Sequence, residues 1–359
     1  MRPLVPLLLL CCGFAAQAEE PVLNLYSWSS YIPEQALERF KAETGIRVKY
    51  DIFDSAEALD AKLLTGGSGY DVVFPAASGL GRAIQAKAVQ PVERARLKHF
   101  ANLDGELLEK LAEIDPGNRF GVPYSWGTVG LGINKQALEQ RLPDVPLNSL
   151  DLLFKPEYAS KLKDCGIAVI DSPQEVISVA LNYLGKDPYS SEPADLAAVQ
   201  RLLAELQPNL SYVGSGRHIN DLAKGDICLA LTYNGDAYMA ADNARQASQP
   251  FEVIYRIPRE GTLLWFDTMA IPVDAPHPEA AHAFIDYMLR PESIAELTNS
   301  VFFANANRAA DALIDPAIIG DADIYPAAEV RARLFGEQLL PLRQQRERTR
   351  LWSGFRSHY

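Results

Sequence analysis

Histidine, cysteine and tryptophan are scarce in this chain, at five, four and four among 359 residues. That shortage bears first on catalysis and metal binding. His99, His218, His277, His282 and His358 fall into no zinc-ligand spacing and no nucleophile arrangement, and there is no CxxC pair. No G-x-S-x-G elbow occurs. The glycine-rich TGGSGYD lacks the Lys-Ser/Thr of a phosphate loop and reads as a helix end followed by a turn. No cofactor and no metal are therefore expected. Positive charge is also short: 34 lysines and arginines face 46 acids, a net charge of -12. Phosphate binding needs a basic face, so a nucleic-acid partner is not expected. Beyond the first residues, no run is long and apolar enough to span a bilayer.

What is present is an ordinary globular composition, 48% hydrophobic and 22% charged, on a length that suits two domains or one two-lobed body. MRPLVPLLLLCCGFAAQAEE carries Arg2, a short apolar stretch and an A-x-A pattern at Ala16-Gln17-Ala18. This predicts a signal peptide over residues 1–18 and an exported, soluble mature chain. A lipid anchor at Cys11 or Cys12 is disfavoured, because Leu10 stands where a small residue is wanted. Removing the leader leaves Cys165 and Cys228. In an oxidising compartment they predict one disulfide, worth about 4 kcal/mol in the chain-entropy description. Two buried free thiols are the alternative.

The hydrophobic period alternates along the chain. VLNLYSW reads as a strand, PEQALERFKAET as a helix ended by Gly45, and IRVKYDIF as a strand. SAEALDAKLLTGG reads as a helix and YDVVFP as a strand. Strand-helix alternation predicts an α/β fold with a parallel sheet, in which ligands collect at the carboxyl ends of the strands. SWSSY and the AAS ending at Ser78 leave the sheet at those ends. A second α/β block follows: CGIAVID, SPQEVISVALNYLG, LAAVQRLLAEL and DICLALTYNGDAYMAADNARQ. FEVIYRIP, TLLWFDTMAIP and the helix PEAAHAFIDYML come after it. Two such blocks predict two lobes facing a cleft. The basic tail RQQRERTRLWSGF reads as a solvated helix face.

Four interruptions pair aromatic rings with acids: Trp28 with Tyr31, Glu175, Tyr233 with Asp236, and Trp265 with Asp267. Rings and carboxylates both attract cations. An alkyl chain ending in ammonium groups would use the rings for its methylenes and the acids for its ends. Each charge-assisted hydrogen bond would contribute about 1.5–3 kcal/mol and each cation-π contact about 0.5–2 kcal/mol. Structural alternatives stand beside this. Trp28 and Trp265 fit a core equally well. Glu175 completes a capping box with Ser172 and Pro173, and Asp236 follows Asn234-Gly235 as a helix cap would. Asp267, in the middle of an apolar strand, needs a cation, from the chain's own lysines and arginines or from outside.

At these residues the chain resembles the substrate-binding proteins of polyamine ABC importers, most of all the putrescine-binding branch. The likeness runs through YSWSSYIPEQALERFKAETGIRVKYDIFDS, GYDVVFPAAS, VPYSWGTVGLGIN, LNYLGKDP, INDLAKGDICLAL, VFFANAN and RTRLW. It implies a type II periplasmic binding protein fold with a double crossover, a hinge and no chemistry. Residues 22–124 with 252–300 would form one lobe and 125–251 with 301–359 the other. It implies a monomer in the periplasm that carries a small amine to an inner-membrane ABC permease. The pocket wall then falls on Trp28, Ser29, Ser30, Tyr31 and Ser78. The far amine meets Glu175, the near amine meets Asp236 and Asp267, and Tyr233, Trp265 and Phe303 complete the ring box.

Several positions depart from the family pattern. Ser30 stands where putrescine binders carry an acid, Tyr233 where tryptophan is usual and Phe303 where tyrosine is usual. Ala76 replaces a serine, Gly79 a bulkier aromatic, and Ser172 an acid of spermidine binders. Trp265, in contrast, resembles the spermidine type. The expectation is a pocket with one acid fewer and more room, and weaker putrescine binding or a different amine. The rivals are a different ligand or a sensor role on the same fold, and a secreted hydrolase using Asp236 and Asp267.

Overall fold

The structure, a computed structural model, describes residues 20–28, 31–53 and 55–357. The leader expected at 1–18, Cys11, Cys12, and the candidates Ser29 and Ser30 lie outside the described residues.

The first block folds as its periodicity predicts. Strands β1 (Val22–Trp28), β2 (Arg47–Phe53) and β3 (Val72–Val73) are parallel, with β1 in the middle. The helix Glu34–Thr44 closes on Gly45 at φ 71°, a left-handed cap that glycine adopts without steric cost. The helix Ala56–Leu64 opens on Ser55, whose side chain accepts from the Ala58 N–H. The short β4 (Val89–Gln90) adds to the sheet later in the chain.

The two longest strands are β5 (Gly121–Asn134) and, further on, β10 (Leu263–Pro272); every residue in both is buried. Between them come β6 (Ile167–Val169), β7 (Tyr212–Val213), β8 (Leu229–Tyr233) and β9 (Val253–Arg256), and after them β11 (Ala304–Asn305) and β12 (Phe335–Gly336). The main path of the sheet is β2-β1-β3-β10-β5-β8-β6-β7. Strands buried on both faces lose the polar alternation, which is why VPYSWGTVGLGIN reads as one apolar run.

β5 joins the two halves of the molecule. Gly121 to Thr128 pair antiparallel with β10, and Val129 to Asn134 pair with β8 and β9. The exchange of partners falls at Thr128–Val129, where the Tyr255 hydroxyl lies 2.9 Å from the Thr128 carbonyl and 2.8 Å from its Oγ1. In the second half β6, β7 and β8 are again parallel. The molecule is thus a two-lobed α/β protein linked by β5 and by the return from β9 to β10.

Cys165 and Cys228 form a disulfide with Cα atoms 5.5 Å apart, tying the start of β6 to the start of β8. The basic tail corrects the expectation of a solvated face. In the helix Leu342–Arg356, Arg343 is exposed, but Arg348, Trp352 and Phe355 are buried. The Arg348 guanidinium bonds to Ser178 Oγ at 2.8 Å, to the Pro188 carbonyl at 2.8 Å and to the Ser190 carbonyl at 3.3 Å. Saturation by oxygens lets a cation stay inside, though burial lowers its pKa to about 10. Among the described residues, no helix is long and apolar enough to cross a membrane, and no group of three His, Cys, Asp or Glu could hold a metal.

Candidate functional site

Asp267 stands opposite Ser125 in the β10–β5 ladder, and the register slips between Asp267 and Thr268. On its other edge Asp267 bridges Ala76, while Thr268 gives its N–H and hydroxyl to the Pro75 carbonyl at 3.0 Å each. A register irregularity of this kind redirects a side chain, which explains how a carboxylate leaves an otherwise apolar strand. Asp267 is only 7% exposed. The Tyr31 hydroxyl donates to its Oδ2 at 2.6 Å and also contacts Ser125 Oγ. Burial, and after it the charge of Glu337, pushes its pKa up to about 7 against the lowering pull of Tyr31 and Trp28. Among the described residues, no lysine or arginine belongs to the groups acting on it. The Trp28 indole is near enough to lower that pKa but lacks hydrogen-bond geometry. Its Nε1, like that of Trp265, is buried without a partner among the described residues.

The rings form a connected wall. Tyr31 meets Phe303 edge-on at 6.0 Å, Phe303 meets Trp265 at 4.9 Å, and Trp265 meets Tyr233 at 6.0 Å. Glycines make this packing possible: a Cβ on Gly127 would strike the Trp265 ring, and one on Gly235 would strike Phe303. Phe303 is delivered by Phe302, a non-glycine residue at φ 61° that ends the helix Pro291–Val301 and turns the chain inward.

The second lobe contributes Glu175, in the first turn of the helix Pro173–Tyr183. The capping-box alternative does not form, since the Ser172 side chain makes no cap hydrogen bond. Glu175 instead accepts from the Tyr233 hydroxyl at 2.6 Å. Burial, followed by the charge of Glu337, raises its pKa to about 8. Asp236 occupies the first turn of the helix Asn234–Gln246 without capping it through a side-chain bond at the N-cap. Its Oδ2 lies 3.0 Å from His218 Nε2, and that nitrogen is 2.6 Å from Thr232 Oγ1. The acid whose charge acts on Asp267 is Glu337. Ser78 donates its backbone N–H to Glu337 Oε2 at 2.7 Å.

Asp267, Tyr31, Phe303, Trp265, Tyr233 and Glu175 thus meet through a chain of contacts, while Trp28 packs on Phe53, Ser78 bonds Glu337 and Asp236 stands on its own histidine. Three residues were missed by sequence reasoning. Ser125 sits inside a quoted motif but in no readable pattern. His218 is a lone histidine on a helix. Glu337 follows a two-residue strand in a segment without periodicity, and no sequence signal marked it. Tyr233 of β8 and Trp265 of β10 meet where β5 passes from one lobe to the other.

A two-lobed α/β body with rings and acids between its lobes defines the class of solute-binding proteins rather than of enzymes. The chain belongs to the family of bacterial extracellular solute-binding proteins, whose profile matches residues 35–324. It is 43% identical to a putrescine-binding periplasmic protein of Pseudomonas aeruginosa, over 96% of this chain and 94% of that one. It is 42% identical to a putrescine-binding periplasmic protein of Escherichia coli, over 95% and 92%. Among solved structures, the spermidine/putrescine ABC transporter substrate-binding protein of Streptococcus pneumoniae superposes with a TM-score of 0.81 at 28% identity. That match covers 94% of this chain and 99% of the other.

Proposed function

We propose that this protein captures a linear aliphatic di- or polyamine between its lobes and passes it to the membrane permease of an ABC importer, working in the periplasm as a monomer. The observation that carries the reading is Asp267: a buried carboxylate with a tyrosine hydroxyl but, among the described residues, no lysine or arginine acting on it, set among aromatic rings. An ammonium ligand would supply the missing charge, and the indole rings of Trp28 and Trp265 would flank its methylenes. Trp28, Ser29, Ser30, Tyr31, Ser78, Glu175, Tyr233, Asp236, Trp265, Asp267 and Phe303 are the proposed ligand wall. The names of the two putrescine-binding relatives described above, both over 40% identical, support the amine class. The lobes are proposed near the limits drawn from the sequence. The return crossing is proposed after β9, a reading supported by the pairing of Val253–Arg256 with the same half of β5 that pairs β8.

Calorimetry on ligand-stripped protein with putrescine, cadaverine, agmatine and spermidine tests the reading. At least one amine should bind with a micromolar or lower Kd, without turnover. Failure of all four to bind a folded sample would overturn it.

A further inference from the structure

The ligand wall leaves one buried histidine, His218, without a role. It lies in the first turn of the helix Arg217–Lys224, which follows Gly216 at φ 82°, a backbone angle that favours glycine. The Arg217 guanidinium and the Tyr212 hydroxyl both bond Asp221 Oδ2 at 2.8 Å and pin that helix in place. The imidazole is only 1% exposed. Its Nε2 lies 3.0 Å from Asp236 Oδ2 and 2.6 Å from Thr232 Oγ1. Its Nδ1 is buried with no partner among the described residues.

These contacts fix the proton of the ring. A bare Nε2 would set its lone pair against the Asp236 oxygen and put the hydrogen on Nδ1, a buried donor without an acceptor. An imidazolium would strand the same donor. The neutral ring with its hydrogen on Nε2 avoids both, and that hydrogen is shared between Asp236 and Thr232. Asp236 is thus held without being neutralised. It stands in the first turn of the helix Asn234–Gln246, and its neighbours belong to the ring wall: Tyr233 meets Trp265, and Gly235 lies against Phe303. Among the described residues, His218 is the one hydrogen-bond partner of the Asp236 carboxylate, which keeps part of its surface exposed.

We propose that His218 is a positioning residue for the ligand: as a neutral Nε2–H donor it aims the Asp236 carboxylate at the cleft and leaves its charge for an ammonium. The inference rests on the amine reading above and on the place given there to Asp236. A cationic histidine would do the reverse, because a resident charge would take the position that the ligand's ammonium needs.

Two measurements on the ligand-stripped protein at pH 7.5 test it. Long-range nitrogen–proton NMR of the wild-type imidazole should show one protonated and one bare nitrogen, with the proton on Nε2. A doubly protonated ring, or a proton on Nδ1, overturns the proposal whether or not any variant folds. Calorimetry is then run with putrescine, cadaverine, agmatine and spermidine, and read on whichever binds tightest. His218→Phe should weaken binding about ten-fold, as the loss of a hydrogen bond to a charged group does. His218→Gln, which offers a neutral N–H from a similar place, should recover most of that loss. In an Asp236→Asn background His218→Phe should cost nothing further, because His218 acts through Asp236. An unchanged Kd in a folded H218F, no rescue by H218Q, or tighter binding by H218Q than by wild type overturns the proposal. So does a full further loss in the double variant, and the amine reading survives each of these results. If no amine binds wild type, the amine reading fails and the positioning role falls with it.

Discussion

Asp267 keeps its place in an apolar strand at a cost that depends on pH. Its ordinary pKa of 3.8 rises to about 7, first because the carboxyl is buried. The folded protein therefore holds this proton more tightly than the unfolded chain. The stability gained is full below pH about 4 and is lost as pH rises through about 7, with a total of the order of 4 kcal/mol. Asp267→Asn should flatten the fall in melting temperature of the empty protein between pH 4 and pH 8. It should also weaken amine binding at least ten-fold at pH 7.5, read by calorimetry. A variant that kept the whole wild-type pH slope would show that the carboxylate ionises without penalty. Tyr31 is part of the same unit, since its hydroxyl is the strongest support for the ionised form.

Among elements, the C-terminal helix does most to position an acid it never touches. Arg348 binds Ser178 and the carbonyls of Pro188 and Ser190, while Trp352 Nε1 donates to Asp171 Oδ1 at 2.8 Å. Asp171 and Ser178 flank Glu175, so the helix clamps the turn that presents it. Arg348→Met should lower the melting temperature by several degrees, because it strands buried carbonyls at about 1–3 kcal/mol each. It should also weaken amine binding. A variant with unchanged affinity would confine Arg348 to stability. The disulfide acts at the same scale by joining the starts of β6 and β8. Reduction, or paired substitution of Cys165 and Cys228 by serine, should lower the melting temperature, the chain-entropy contribution being about 4 kcal/mol. An unchanged melting temperature would show that the link constrains nothing.

At the scale of the whole molecule, the raised pKa values of Glu175, about 8, and Asp267, about 7, come first from burial of both acids. An open, hydrated cleft would return both towards their ordinary range. Protons are thus bound more tightly by the shut form, and without ligand a falling pH favours closure. Small-angle scattering of the empty protein should record a smaller radius of gyration at pH 5 than at pH 8. Saturating amine at pH 8 should give the same compaction. A radius insensitive to both would mean that burial of these acids does not depend on lobe closure.

The sequence by itself determined the α/β alternation, the cap at Gly45, the cysteine pairing and the company of rings and acids, because period, turn chemistry and residue type are local quantities. Asp267 announced itself as a charge without a local excuse. Only the tertiary structure decided which partners the acids have: Tyr31 for Asp267, Tyr233 for Glu175 and His218 for Asp236. It also turned half of a basic helix inward and brought Glu337 to Ser78 across 259 residues of chain. Hydrogen bonding and Coulomb interaction act through space, and distance along the chain leaves no trace of them.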